Sequence, residues 1–267
     1  MYGTGYAADI HSTRPETEYF TFRAADFVLG NVAEHNPRTA VRPFRVLDLC
    51  TGTGSISLLL HALLALHFPR ISILGIDSSQ EAVNLARKNL WHNMRLGLLR
   101  RSSVSEIKFR QGNVFSARGN DFLPMEESCT PDSTGQWGDS GYDILISNPP
   151  YISDASFKNG TTARSVRFFE PKTALVPPIG TPAEAHLHED LFYHAIVPLS
   201  FKLPASLTVL ECGDRWQALR VADLCKSMSG TRQASQSSIQ IWSSGGGYDV
   251  PPSGAVYEPH AVVMQLA

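Results

Sequence analysis

Apolar residues recur along this chain in two rhythms. Phe44-Arg-Val-Leu-Asp-Leu49, Ile71-Ser-Ile-Leu-Gly-Ile76, Glu106 to Arg110, Tyr142-Asp-Ile-Leu-Ile-Ser147 and Leu207 to Glu211 are short apolar runs bounded by turn-forming or polar residues, which predicts strands. Ile239 to Trp242 and Ala261 to Leu266 predict two closing strands. Between them the spacing turns helical. Phe20, Ala24, Phe27, Val28 and Val32 share a face over Glu18 to Glu34, and Ser55 opens an apolar helix to about His67. Ser79 is placed to cap a helix from Gln80 to about Arg95, and His186 to Leu199 and Trp216 to Met228 predict two more. Seven strands alternating with helices predict βαβ units, hence an α/β, doubly wound, mostly parallel sheet with helices on both faces. Residues 116–141, rich in Ser, Gly, Asp and Pro, break that rhythm and read as a polar surface insertion; Ser227 to Ser238 and Gly245 to Gly254 read as loops.

Composition narrows the picture only slightly. With 267 residues, 43% of them hydrophobic, the chain has enough for one sizeable core. A formal net charge of −2 carries no basic footprint of a nucleic-acid binder, and no direct nucleic-acid contact is expected. No apolar run reaches the roughly 18–20 residues of a membrane helix. The four cysteines, Cys50, Cys129, Cys212 and Cys225, form no C-x-x-C pair, which suits a reducing compartment and predicts no metal site. His186 and His188 could hold a metal between them, but two histidines at a helix start are more often simply solvated.

The candidate chemistry sits where strands end. Val46-Leu-Asp-Leu-Cys-Thr-Gly-Thr-Gly-Ser55 is a strand, a tight turn and a helix start. Gly52 and Gly54 allow a ligand close to the backbone, and the helix start offers unpaired N–H groups. A dinucleotide fingerprint would continue to a third glycine, but Ser57 stands there. A lone Gly-x-Gly is equally the making of a plain turn. Asp77, at the end of the second strand, adds an acid that can accept both hydroxyls of a ribose. Together Asp48-x-x-x-Gly-x-Gly and Asp77 resemble the class I S-adenosylmethionine methyltransferases, whose fold is Rossmann-like with an antiparallel last strand. That resemblance implies that adenine lies near Gln111-Gly-Asn-Val-Phe115, with Asn113 bonding the exocyclic amine and Val114 against the ring; the same five residues also suit a plain turn.

Ile146-Ser-Asn-Pro-Pro-Tyr-Ile-Ser153 leaves the fourth strand abruptly. An amide or aromatic amine is a poor nucleophile, because its lone pair is delocalised. Two acceptors aimed at its two N–H bonds would hold the nitrogen and direct that lone pair. The Asn148 side-chain carbonyl and the Pro149 main-chain carbonyl are the candidates, stiffened by Pro149 and Pro150, with Tyr151 as a flat wall. The plainer reading is a proline-rich turn after a strand.

Three further segments carry a narrower resemblance: Arg14-Pro-Glu-Thr-Glu18, Val166-Arg-Phe-Phe-Glu-Pro171 with Ala174-Leu175, and Leu210-Glu-Cys-Gly213. With Asn148-Pro-Pro-Tyr-Ile152 they resemble the HemK/PrmC family of protein-(glutamine-N5) methyltransferases over about residues 12–266. The resemblance implies S-adenosylmethionine as cofactor, held by Thr51, Gly52, Thr53, Gly54, Asp77, Asn113, Val114 and Asn148. It implies a peptide-chain release factor as partner, with its Gly-Gly-Gln glutamine held by Asn148, Pro149, Pro150 and Tyr151. It also implies a mitochondrial location in a eukaryote, otherwise a cytoplasmic one, and places Glu16 and Thr17 over the cofactor, although the Arg14 stretch is also readable as a salt-bridged helix start. The family usually has Gly at Cys50 and Asp at Asn113. Residues 44–267 are expected to form the methyltransferase domain. Residues 1–43 would be a remnant of the linker to a helical recognition domain that is expected to be missing. An N6-adenine methyltransferase acting on DNA or RNA is the alternative that the same Asn-Pro-Pro-Tyr corner permits, and an inactive cofactor-binding module is a third.

Overall fold

The strand-forming runs are apolar on both faces because both faces are covered. The computed structural model describes residues 15–35, 42–116, 141–159, 162, 164–178, 188–230, 237–243 and 260–266. Among them β1 (Phe44–Leu49), β2 (Ile71–Asp77), β3 (Ile107–Gln111), β4 (Tyr142–Ser147), β5 (Ala205–Cys212), β6 (Ser238–Ser243) and β7 (His260–Gln265) form one sheet in the order β3-β2-β1-β4-β5-β7-β6. β1 to β5 run parallel, and β7 is antiparallel to both of its neighbours. Consecutive residues alternate between two cores. Val46, Ile73, Ile144 and Val209 join the layer under α1 (Pro15–His35), α2 (Ser55–Leu64) and α3 (Gln80–Arg95). Leu47, Leu74, Leu145 and Leu210 join the opposite layer, which continues into α7 (Leu191–Lys202) and α8 (Arg215–Gly230). Truncating Ile144 or Leu145, both fully buried, to alanine would cost about 2–5 kcal/mol.

Several boundaries differ from the periodicity. α1 begins at Pro15, three residues before the expected Glu18. Proline needs no N–H partner in a first turn, and Glu16 and Glu18 suit the positive end of the helix, but the apolar stripe itself starts only at Phe20. Glu106, expected in the third strand, instead ends the short helix α4 (Ser103–Glu106). Its carboxylate is drawn to Arg100, at 2.6 and 2.9 Å, and to His61 Nε2 at 2.8 Å. α7 starts at Leu191 rather than His186, and α8 runs past Met228 to Gly230. Two short helices, α5 (Asp154–Lys158) and α6 (Arg164–Phe169), follow β4 without an apolar period to announce them. Most of the expected insertion (117–140), residues 231–236 and the glycine-rich 245–254 lie outside the described residues, as do Cys129 and His186.

At the starting edge of the sheet Arg42 grips Asp143 with two hydrogen bonds, at 2.7 and 2.8 Å, while the Arg45 amide donates to the same carboxylate at 2.7 Å. The β1–β4 pair is thereby fixed at one end, which leaves the other end to carry the loops.

Candidate active site

Strand order reverses at β1 and β4: β2 and β3 lie to one side, β5 to the other. Such a switch point opens a crevice beyond the carboxyl ends of the two strands. Residues 50–54 leave β1 there and residues 148–151 leave β4. The register pairs Leu49 with Ser147, and the buried Ser147 hydroxyl donates to the Leu49 carbonyl at 2.8 Å. The two exits are therefore pinned to each other.

The first loop alternates left-handed residues, with φ of 58° at Cys50, 54° at Gly52 and 81° at Gly54. At Gly52 a Cβ would meet nothing within 4 Å, so the space above it is open to a ligand. Cys50 takes a conformation that costs an L-residue about 1–2 kcal/mol. That is the physical reason a glycine suits this position. Burial, with Asp77 nearby, pushes the Cys50 thiol up from its ordinary value, so it stays protonated.

Two carboxylates frame this loop. Asp77 is half-buried; one oxygen accepts the Gly52 N–H and the other the Ser79 N–H, each at 2.9 Å. Each oxygen keeps a second lone pair for a ligand hydroxyl. Asp48 is fully buried. Its Oδ2 accepts from Thr51 at 2.6 Å and from Ser57 at 2.7 Å, whereas Oδ1 is buried with no partner within hydrogen-bond distance among the described residues. Burial pushes Asp48 up to about 6, against the pull of the two hydroxyls and of the Ser57 backbone N–H, with Asp77 adding to the rise. Thr53 contributes its carbonyl to Asn89 Nδ2 at 2.9 Å, which ties the loop to α3. Asn113 is exposed, and its Oδ1 accepts the Phe115 N–H at 3.0 Å in a tight turn, while Val114 is buried beside it.

The second loop carries the sharper geometry. Asn148 Nδ2 donates to Thr17 Oγ1 at 2.9 Å, across 131 residues of chain. Thr17 is 4% exposed, and its position is set by the first turn of α1. With the nitrogen of the amide engaged, the Asn148 oxygen is turned away from Thr17. Among the described residues none donates to that oxygen or to the Pro149 carbonyl. Pro149 and Pro150 are buried. Tyr151 is half-buried, and its hydroxyl donates to Glu211 Oε1 at 3.3 Å.

The crevice thus gathers Thr51 to Gly54, Asp77 and Asn148 to Tyr151 around the β1–β4 exits, with Asn113 and Val114 following β3. The sequence pattern missed the orphaned oxygen of Asp48, the Thr17 tether as a contact of Asn148, and Glu211 with Gln217 behind Tyr151. Each is a polar residue inside an otherwise apolar or helical stretch, and only buried polarity in those stretches marked them. His188, the described half of the histidine pair, faces the Pro178 carbonyl at 2.9 Å.

A family profile described as a methyltransferase domain matches residues 42–167, a span that contains both exit loops. The release factor glutamine methyltransferase of Rhodopirellula baltica is 29% identical over 178 residues, 66% of this chain and 47% of that protein. A Schizosaccharomyces pombe protein named "Probable MRF1 mitochondrial N(5)-glutamine methyltransferase mtq1" is 32% identical over 213 residues, 79% of this chain and 59% of its own length. The chain resembles the HemK/PrmC methyltransferases. It spans about half the length of the curated relatives it matches. Among solved structures, the N-terminal domain of human METTL16 in complex with SAH superposes with a TM-score of 0.54 at 16% identity, covering 95% of this chain and 71% of that one. The human methyltransferase 10 domain containing protein gives 0.52 at 14% identity, covering 95% of this chain and 83% of that one. At those identities the likeness is one of fold: the seven-stranded, mostly parallel sheet of class I methyltransferases with helices on both faces.

Proposed function

We propose that this chain transfers a methyl group from S-adenosylmethionine to the side-chain amide nitrogen, N5, of a glutamine in a peptide-chain release factor, namely the glutamine of its Gly-Gly-Gln motif. The observation that carries this reading is the pair of acceptors at the β4 exit, Asn148 Oδ1 and the Pro149 carbonyl, unengaged among the described residues and beside the open space over Gly52. The donors and acceptors of the crevice fit the cofactor. Asp77 has lone pairs for two ribose hydroxyls, and Asp48 presents an orphaned buried oxygen next to the loop. Thr51, Gly52, Thr53, Gly54, Asp77, Asn113, Val114 and Asn148 would hold it. Bound there, it would supply an electrophilic methyl group on a sulfonium.

The chain's own residues then have a positioning task. A glutamine carboxamide offers two N–H bonds in one plane, and its nitrogen lone pair is delocalised into the carbonyl. Asn148 Oδ1 accepts one N–H and the Pro149 carbonyl the other, which holds the nitrogen and turns its lone-pair face toward the cofactor side. Neither acceptor can swing away. Thr17 tethers the Asn148 amide, and the two prolines fix the backbone. Tyr151 closes the side of the pocket. Loss of one such preorganised group lowers a transfer rate roughly 100-fold or more.

A release factor incubated with this protein and S-adenosylmethionine should carry one added methyl on its Gly-Gly-Gln tryptic peptide by mass spectrometry. Asn148→Ala should abolish it, and a Gln→Ala release factor should accept none. Equal methylation of that Gln→Ala release factor, or methyl groups entering oligonucleotides instead, would overturn the reading. The fission-yeast relative is named mitochondrial, and we propose the same compartment for this chain in a eukaryotic source. No described helix is long and apolar enough to cross a membrane.

A further inference from the structure

Behind the acceptor corner lies a buried polar assembly that the chemistry above does not use. β5 runs beside β4 with Leu210 paired to Ser147, so residues 211–213 run past the end of β4, next to residues 148–151. Gly213 has no room for a side chain: a Cβ there would stand 2.8 Å from Tyr151 Cδ2 and 3.0 Å from Cε2. The Tyr151 ring therefore lies flush on the Gly213 backbone, and its hydroxyl reaches Glu211 Oε1 at 3.3 Å. The end of β5 is held in turn by Tyr193, whose buried hydroxyl donates to the Glu211 carbonyl at 2.6 Å.

Gln217, 2% exposed, joins three segments with one carboxamide. Its Oε1 accepts the Gly213 N–H at 2.8 Å. Its Nε2 donates to Asp190 Oδ1 at 3.0 Å and to the Glu189 carbonyl at 3.1 Å, and reaches the Tyr151 carbonyl at 3.5 Å. Arg220 holds Asp190 from the other side, with Nε and Nη2 on its two oxygens at 2.5 and 2.9 Å. A buried amide with its bonds satisfied specifies one geometry, where an apolar side chain of the same size would tolerate several. Among the described residues none of these bonds touches residues 50–54 or Asp77.

We propose that Gln217 and Glu211 are positioning residues that hold the Asn148–Tyr151 corner at the angle at which its two oxygens receive the substrate amide. The proposal rests on the methyl-transfer reading above. It places the effect of this pair on the acceptor side of the crevice and not on the cofactor side, which a merely stabilising cluster would not do.

The test is Gln217→Met in the full chain, a change that keeps length and removes every bond of the amide. Hydrogen exchange at the Asn148, Tyr151 and Ile152 amides should become tenfold faster or more, with exchange at Gly52 and Asp77 unchanged. The affinity for S-adenosylhomocysteine, read by calorimetry, should stay within twofold, while kcat for a Gly-Gly-Gln release factor falls at least tenfold. Unaltered exchange at the corner, or cofactor affinity falling in step with kcat, overturns the proposal. If Gln217→Met does not fold, Tyr151→Phe and Glu211→Ala carry the test. Each should lower kcat several-fold at constant cofactor affinity, with Glu211→Gln, which keeps an acceptor, recovering most of the loss; parent-like kcat in Tyr151→Phe overturns it. A parent protein that methylates no release factor counts against the proposed function alone, because the exchange comparison then still decides whether Gln217 sets the corner.

Discussion

Ionised Asp48 is a buried charge with one oxygen unpartnered among the described residues, and its effect on stability can be measured through pH. The folded state pushes the carboxyl from 3.8 to about 6. At roughly 1.36 kcal/mol per unit, keeping Asp48 ionised in the fold at neutral pH costs about 3 kcal/mol. The sign follows from the direction. A carboxyl whose folded value is raised contributes its stability fully below the unfolded value of 3.8, and loses it as pH rises through about 6. Between about pH 4 and pH 7.5 the protein should therefore lose about 2–3 kcal/mol through this group alone. Asp48→Asn isolates it. The amide oxygen can still accept from Thr51 and Ser57, and the new NH2 replaces the orphaned oxygen. His61, which burial holds below its ordinary value against the pull of Glu106, moves both proteins alike and cancels in the comparison. Urea unfolding of parent and variant at several pH values across this window should give a stability difference that shifts by about 2–3 kcal/mol in favour of the variant as pH rises. A difference that stays flat with pH would mean that Asp48 is not the buried, desolvated charge described here.

Further outcomes follow from the same contacts. Cys50→Gly removes a left-handed L-residue but adds backbone entropy, so the urea midpoint should rise by an equivalent of up to about 1 kcal/mol; a lower midpoint contradicts the strain assigned to Cys50. Thr17→Val takes the acceptor from Asn148 Nδ2 and should slow single-turnover methyl transfer roughly 3–10-fold, with Thr17→Ser close to the parent; equal rates in Val and Ser variants would discount the tether. Asp77→Asn leaves either the Gly52 or the Ser79 N–H facing a donor, and should weaken calorimetric binding of S-adenosylhomocysteine roughly 10- to 100-fold.

Continuous apolar runs revealed the parallel sheet because a strand covered on both faces needs no polar alternation, as Ile144-Leu145 and Val209-Leu210 illustrate. The site was legible at the points where such a run meets residues that regular structure does not want: Gly52 after β1, Asp77 ending β2, and Asn148 before two prolines. What stayed hidden were contacts made across long separations by residues that look ordinary in place. Thr17 belongs to a helix whose apolar stripe starts at Phe20, and nothing local says that its hydroxyl meets Asn148. Gln217 occupies a helical position like any polar residue, and only its 2% exposure shows that it faces inward. Glu106 alternated correctly for a strand, but Arg100 and His61 claimed its carboxylate and wound it into α4. Periodicity reports which face of an element is greasy, not which partner a polar group finds.

The Thr17 tether also sets an order of events. The helix that supplies it comes early in the chain, and the amide it orients comes 131 residues later, so that long loop must close before the acceptor corner is set. A molecule in which α1 has peeled from the sheet would retain the nucleoside crevice between β1 and β4 but would let the Asn148 carboxamide spin. On the proposed reading, such a molecule would keep the loop after β1 but lose the fixed direction of the Asn148 oxygen, so the seating of α1 would matter to transfer more than to the loop itself.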